Sequence, residues 1–197
     1  MEKIAGLILA GGEGRRWGGP KAWASLPDGT SFLGSSFRTL QSAGAQPIVA
    51  TLPPGTDDPG PTGLTTVVLP SSGLDMFASL VCGLGRLVEH PDWHVVAILP
   101  VDHPLVSPRT IVALSDATVT AAVPSFNGKH GHPICLARSV AEAILDETLA
   151  GPTLREILGS VDAIDVPVDD PGIIANCNTP EALSAALQNP AFHETES

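Results

Sequence analysis

Positive charge is scarce in this chain. Its 197 residues carry 10 Lys and Arg against 21 Asp and Glu, a formal net charge of -11. That balance repels polyanions, so general binding to nucleic acid or to an anionic membrane is excluded. Cysteine is also scarce. Cys82, Cys135 and Cys177 are far apart and form no Cys-x-x-Cys pair, which argues against zinc ribbons and thioredoxin chemistry. They are expected to be small buried residues in a reducing cytoplasm. No apolar run approaches the ~20 residues needed to span a bilayer. The early run from Ile4 is a short strand and not the apolar core of a signal peptide. There is no internal repeat and no low-complexity tract. With 43% hydrophobic and 16% charged residues, the chain is expected to be globular, with one sizeable core. The expectation is a single domain over residues 1–188 and a flexible tail over 189–197.

The little positive charge present is concentrated. Three of the ten Lys and Arg lie between positions 15 and 21. They belong to the stretch Leu9-Ala-Gly-Gly-Glu-Gly-Arg-Arg-Trp-Gly-Gly-Pro-Lys21, which follows the apolar run Ile4-Ala-Gly-Leu-Ile-Leu9. Glycines let backbone N–H groups approach oxygens closely and form an anion-binding concavity. Arg15, Arg16 and Lys21 add charge that the backbone cannot supply. Such a loop on an acidic body suits a small phosphorylated ligand, foremost a nucleoside triphosphate.

Apolar periodicity alternates between strand and helix. Strands are expected at Ile4–Ala10, Pro47–Leu52, Thr65–Leu69 and Trp93–Leu99. Two more, Val119–Pro124 and His132–Ala137, flank an Asn127-Gly128-Lys129 turn. Ala163–Val168 and Gly172–Ala175 read as short late strands. Helices are expected from Phe32 to Ala43, from Leu74 to Val88, from Pro108 to Leu114 behind the Ser107 cap, at Val140–Leu149, at Pro152–Leu158, and from the Thr179 cap to Leu187. Pro53 to Gly63 reads as a loop. The pattern predicts an α/β fold: a three-layer α/β/α sandwich with a mostly parallel, Rossmann-like sheet. Ligands of such sheets bind outside the carboxyl ends of the strands. Both the glycine loop and Asp102 follow expected strands and belong at that crevice.

Two common phosphate loops do not fit. In a P-loop a hydroxyl residue follows the lysine, but Ala22 follows Lys21 and Pro20 precedes it. The dinucleotide fingerprint fails at Arg15-Arg16-Trp17, and the second strand ends in Leu52-Pro-Pro without a ribose-binding acid. The pattern Leu-Ala-Gly-Gly-x-Gly-x-Arg-x-Gly-x-x-Lys over Leu9–Lys21 instead resembles the signature of nucleotidyltransferases. More specifically, the chain resembles the MobA-like molybdenum-cofactor group over roughly Ile4 to Leu187. Gly73-Leu-Asp-Met-Phe-Ala-Ser-Leu-Val-Cys-Gly-Leu84 is similar to a second motif of that group, with Asp75 where a glycine is usual. Leu99-Pro-Val-Asp-His-Pro-Leu105 is similar to its metal-binding strand end. Gly131-His132-Pro133 resembles an element of the cytidylyl branch, and Asn176-Cys-Asn-Thr-Pro-Glu181 one of the guanylyl branch.

The resemblance implies transfer of a nucleoside monophosphate from a triphosphate to a phosphorylated small-molecule acceptor, molybdopterin or its metal-bound form, with release of pyrophosphate. It implies Mg2+ as cofactor and a molybdoenzyme or its chaperone as a partner. Arg16, Lys21 and Asp102 are the implied catalytic residues. Leu9, Ala10, Gly11, Gly12, Gly14, Arg15 and Ser79 join them around the nucleotide. Asp102 and Asn176 are the implied metal ligands, and His132 and Asn178 are assigned to the acceptor. His103 is expected to neighbour Asp102. His130-x-His132 has no further ligand cluster and is not read as a zinc site. Where the cytidylyl branch has Gly-Asp-x-Gly-Ala-Arg, this chain has Ala150-Gly-Pro-Thr-Leu-Arg155, which keeps the arginine and lacks the aspartate.

The base is read from opposing motifs. Leu9-Ala-Gly-Gly12 and Asn176-Cys-Asn178 resemble the guanylyl branch, which implies GTP; the Met76–Leu84 segment and Gly131-His-Pro133 resemble the cytidylyl branch, which implies CTP. The first motif lies nearest the base, so GTP is favoured. A sugar-1-phosphate nucleotidyltransferase and a non-catalytic nucleotide-binding accessory protein are the alternatives from other classes.

Overall fold

The computed structural model describes residues 3–12, 14–57, 60–149, 151, 153–189 and 191, without the side chain of Arg15. The start of the expected helix at Pro152, part of the 53–63 loop and most of the expected tail lie outside the described residues.

A mixed, mostly parallel sheet forms the middle layer. β1 (Ile4–Leu9) is central and lies parallel to β2 (Ile48–Leu52) on one side and β4 (Val95–Pro100) on the other. β3 (Thr65–Val68) extends the sheet beyond β2, also in parallel. β1, β2 and β4 are buried at every position, as expected for strands covered on both faces. Beyond β4 the direction changes. β5 (Ala121–Phe126) turns back through Asn127 and Gly128, whose φ angles of 50° and 73° suit a type I′ hairpin. The return strand is broken into β6 (Lys129–His130) and β7 (Ile134–Ala137), which pair with different stretches of β5. β7 also runs antiparallel to β4 and closes the gap between the two halves of the sheet. β8 (Ala163–Pro167) pairs in parallel with β5 at the far edge.

Helices cover both faces. α1 (Phe32–Ser42), α3 (Pro108–Ala117) and α6 (Pro180–Leu187) supply Phe32, Phe37, Leu40, Ile111, Leu114 and Leu183 to one core. α2 (Met76–Val88), α4 (Arg138–Leu145) and α5 (Leu154–Ser160) supply Leu80, Leu84, Leu87, Val140, Ile144 and Ile157 to the other. α2 lies so close to the sheet that a Cβ on Gly83 would come within 2.4 Å of Leu7 Cδ1. The side chains of Ser31, Ser107, Thr153 and Thr179 cap α1, α3, α5 and α6 by accepting from early backbone N–H groups. Asp75 does the same for α2: its Oδ1 accepts from the Ala78 N–H at 2.7 Å.

One expected strand is not formed. Residues 172–174 belong to a short 3-10 turn, Pro171–Ile174, and Ala175 is the residue that ends it. Pro171 favours the first position of a turn, and Asp170 caps it by accepting from the Gly172 N–H at 2.8 Å. Asp170 also accepts from the Ser107 N–H at 2.9 Å and the Thr110 hydroxyl at 2.6 Å, tying the turn to the head of α3. α4 begins earlier than its apolar periodicity suggests, at Arg138, and ends at Leu145.

Arg138 holds the end of α2. Its guanidinium donates to the carbonyls of Val88, His90 and Pro91 at 3.2, 2.8 and 3.1 Å, and its Nε pairs with Glu142 at 2.7 Å. The same group lies 4.8 Å from the centre of the buried Trp93 ring. Arg138→Met leaves three carbonyls without their donor and removes the cation over the ring. We expect a loss of about 2 kcal/mol, from hydrogen bonds to a charged group. At this chain length that lowers Tm by roughly 4–8 °C, read by thermal unfolding with activity at 25 °C preserved.

Candidate active site

Strand register brings the glycine loop and Asp102 together. Leu9, the last residue of β1, pairs with Pro100, the last residue of β4. The Val101 N–H then donates to the Leu9 carbonyl at 3.0 Å, so the two loops leave the sheet side by side. The head of α2 forms a third wall. Between them lies a cavity of about 170 Å³ lined by Gly11, Gly12, Lys21, Met76, Ser79 and Asp102, among others. Ser79 is buried, and its hydroxyl donates to the Asp75 carbonyl at 3.1 Å.

The loop's glycines differ in what they permit. Gly14 has φ +60°, and a Cβ there would lie 2.0 Å from the Gly19 carbonyl oxygen, so the turn that carries Lys21 needs a glycine. Gly11 faces Leu69, whose Cδ1 would stand 2.2 Å from an added Cβ. Gly12 has open space around it. Both border the small cavity; Leu9 borders it too, and Ala10 is buried beside it in sequence.

Lys21 is the centre of the polar contacts. Its Nζ lies 3.0 Å from Asp102 Oδ2 and also donates to Asn178 Oδ1. The side chains of Lys21 and Asp102 are 18% and 17% exposed, so the pair is shielded from bulk water but open to the cavity. The Asn178 segment is fixed by the Cys177 N–H, which donates to the Asp102 carbonyl at 2.7 Å. The two asparagines therefore sit the other way round from the sequence expectation. Asn178 meets Lys21 beside Asp102, whereas Asn176 is exposed and borders a second, larger cavity. Arg16 is exposed and lines neither cavity. The side chain of Arg15 lies outside the described residues.

The larger cavity, about 1060 Å³, shares Leu9, Met76 and Pro100 with the small one. Its walls come from α2, α5, β8 and the broken strand β6–β7. The break is Gly131-His132-Pro133. The His132 N–H donates to the Ile173 carbonyl at 2.9 Å, and a Cβ on Gly131 would lie 2.1 Å from that same oxygen, so the backbone there is pressed onto the Pro171–Ile174 turn. His103 and His132 meet edge to face, with ring centres 5.0 Å apart. Burial holds His103 below its ordinary value, against the opposing pull of the Asp102 charge and the Gly172 carbonyl, with the Lys21 charge adding a smaller push in the same direction as burial. Burial pushes His132 down to about 4, with His103 adding to the effect and Asp102 opposing it. Both rings are neutral at pH 7, so they offer hydrogen bonds to an acceptor and no charge. Arg155 and Lys129 supply exposed cations at the rim. Cys177, close to Asp102, is pushed up to about 11 by burial and then by the carboxylate, so it is a thiol and not a nucleophile.

Met76 was not singled out from the sequence. It is 59% exposed at the head of α2 and borders both cavities. The available signal was a large apolar residue immediately after a helix-capping aspartate. No helix among the described residues is long and apolar enough to cross a membrane.

A family profile described as the MobA-like NTP transferase domain matches residues 6–164. That span contains the glycine loop, Lys21 and Asp102. The chain belongs to the MobA-like NTP transferase family. It is a nucleotidyltransferase. The chain is 34% identical over 195 residues to a molybdenum cofactor guanylyltransferase of Rhodobacter capsulatus, covering 93% of this chain and 95% of that one. In fold it is similar to Rv0371c of Mycobacterium tuberculosis, with a TM-score of 0.76 at 24% identity over 95% of this chain and 98% of that one. A further structure of that protein, in complex with manganese, matches with a TM-score of 0.69 at 23% identity over 95% of this chain and 99% of that one. The sheet order is β3-β2-β1-β4-β7-β5-β6 with β8 paired to β5, and the glycine loop and Asp102 follow the carboxyl ends of the adjacent parallel strands β1 and β4.

Proposed function

We propose that this MobA-like transferase moves GMP from GTP to the phosphate of a molybdopterin-type acceptor in the cytoplasm, releasing pyrophosphate. One observation carries this reading. A single cationic group, Lys21 Nζ, meets the Asp102 carboxylate and the Asn178 amide oxygen beside a glycine loop.

The same observation supports a metal site. Two hard oxygens already converge on a point held by a cation. Among the described residues no group of three or more His, Cys, Asp or Glu converges to hold a metal alone. Magnesium suits such a partial site, since it keeps several waters and takes phosphate oxygens from its substrate. Asp102 would hold it, with Asn178 in place of Asn176 as the second protein oxygen. Bound there, it would neutralise charge on the reacting phosphates.

The chain's own groups do the rest. The backbone of Leu9–Gly12 lines the base and ribose. Lys21 leaves Asp102 and pairs with the β- and γ-phosphates, with Arg16 of the same loop as the second phosphate-binding cation. The acceptor lies in the larger cavity, with His132 and Asn176 near its phosphate and Arg155 at the rim. Its phosphate oxygen already carries a lone pair and negative charge, so no strong general base is needed. That oxygen forms a bond to the α-phosphorus while the bond from α-phosphorus to the bridging oxygen breaks. Pyrophosphate departs with that electron pair. Catalysis rests on positioning and charge neutralisation.

GTP is favoured because the loop reads Leu9-Ala-Gly-Gly12 and because the Rhodobacter relative is named a guanylyltransferase. Gly11 is the position to test. Its Cβ would displace Leu69, so Gly11→Ala is expected to narrow the cavity and lower the GTP-over-CTP preference about tenfold. Pyrophosphate release with GTP, CTP, ATP and UTP, each with a molybdopterin acceptor, reads both points. Faster turnover with CTP in the unaltered protein would overturn the choice of base. No turnover with any base would overturn the function.

A further inference from the structure

Trp17 does more than pack. Its indole Nε1–H donates to the Cys177 carbonyl at 3.1 Å, across 160 positions of chain. Its ring meets the buried Phe32 edge to face at 5.2 Å. Its own N–H closes the turn onto the Gly14 carbonyl at 2.7 Å. The glycine loop is thus joined directly to the segment that carries Asn178.

The peptide units on both sides of Cys177 are held. The Cys177 N–H goes to the Asp102 carbonyl, and the Cys177 carbonyl takes the Trp17 indole. Asn178 follows immediately, and its amide oxygen meets Lys21. Lys21 in turn is carried by the same loop as Trp17. A closed circuit results: Trp17 to Cys177, Asn178 to Lys21, and back along the loop, with Asp102 joined at two points. A smaller apolar residue at position 17 could fill the space against Phe32 but could not donate to Cys177.

We propose that Trp17 is a positioning residue that sets the distance between the glycine loop and the Asp102–Asn178 pair. It acts through Cys177 and touches no reacting atom. When Lys21 turns to a bound triphosphate, the contact between Lys21 and Asn178 is given up. The indole bond is then the remaining direct side-chain tie between loop and segment among the contacts described above. Its effect therefore falls on the retention of a divalent cation at Asp102 and Asn178 in the nucleotide complex. This rests on the proposed metal role of that pair.

Trp17→Phe keeps a ring against Phe32 and removes the donor. Phe32→Leu keeps the donor and removes the ring contact. Mn2+ binding is measured by electron paramagnetic resonance with GTP present, and pyrophosphate release is measured over a range of Mn2+ concentrations. For Trp17→Phe, the expected result is Mn2+ affinity about 3- to 10-fold weaker, as for one neutral hydrogen bond. Its turnover is expected to recover at saturating metal, with the KM for GTP then unchanged. Phe32→Leu is expected to lower Tm while leaving the Mn2+ dependence as in the parent. An unchanged Mn2+ affinity in Trp17→Phe, or a loss of turnover that saturating metal does not restore, would overturn the proposal. Absence of metal-dependent turnover in the parent protein would instead overturn the function proposed above.

Discussion

Asp102→Asn is expected to lower turnover about 1000-fold, the scale seen when one preorganised charged or polar group at developing charge is removed. The substitution keeps the size and shape of the side chain. It also keeps the Asp102 carbonyl that accepts from the Cys177 N–H, so the Asn178 segment stays in place. What is lost is one negative charge facing Lys21 and the cavity. An amide oxygen is a weaker ligand for a hard divalent cation than a carboxylate, so added metal is expected to restore little of the rate. Single-turnover measurement of pyrophosphate release, with a melting curve alongside, distinguishes this from unfolding. A rate within tenfold of the parent at a saturating metal concentration contradicts the assigned role.

Lys21→Met is expected to reduce kcat/KM for the nucleotide by about 100- to 1000-fold, since a lysine that meets the β- and γ-phosphates stabilises the departing pyrophosphate. The change has a second consequence. In the nucleotide-free protein Lys21 is the cation paired with Asp102, at 3.0 Å and largely shielded from water. Methionine fills similar space but leaves the carboxylate without that counter-charge. Stability without metal is expected to fall by about 1–2 kcal/mol, less than for a fully buried pair because the cavity admits water. A divalent cation can then occupy the vacated point. Added MnCl2 is expected to raise the Tm of Lys21→Met more than that of the parent. Equal shifts in the two proteins contradict the claim that Lys21 and the metal use the same oxygens.

The centre of this site was legible because its signals are local. An apolar run that empties into glycines, and an aspartate that follows another apolar run, both mark the carboxyl ends of buried strands. Only their adjacency had to be inferred, and parallel register supplies it at Leu9 and Pro100. The contacts that tune the site were not legible. Trp17, Arg138 and Asp170 act on backbone carbonyls or N–H groups of distant segments, and nearly every residue carries those groups, so no partner type stands out. The placement of the two asparagines was not legible for a related reason. Asn176 and Asn178 lie in a segment outside the sheet, and a tight turn closed from the Asn178 N–H to the Asn176 carbonyl at 3.0 Å decides which side chain faces Lys21. The late strand over 172–175 was misread because Ile173 and Ile174 favour extended structure, whereas Pro171 and the Asp170 cap bend the chain. The remaining difference lies in the second half of the sheet. The Asn127-Gly128 hairpin was readable, but not the division of its return strand at Gly131-His132-Pro133, which opens the wall of the larger cavity.

The central claim is that a nucleoside monophosphate passes from the small cavity to an acceptor in the large one. GTP labelled at the α-phosphate, incubated with the protein, Mg2+ and molybdopterin, tests it in one measurement. The expected result is label on a guanylylated acceptor, with one pyrophosphate released per label transferred. Label recovered only as free GMP, or retained entirely in GTP while the protein binds the nucleotide, contradicts it.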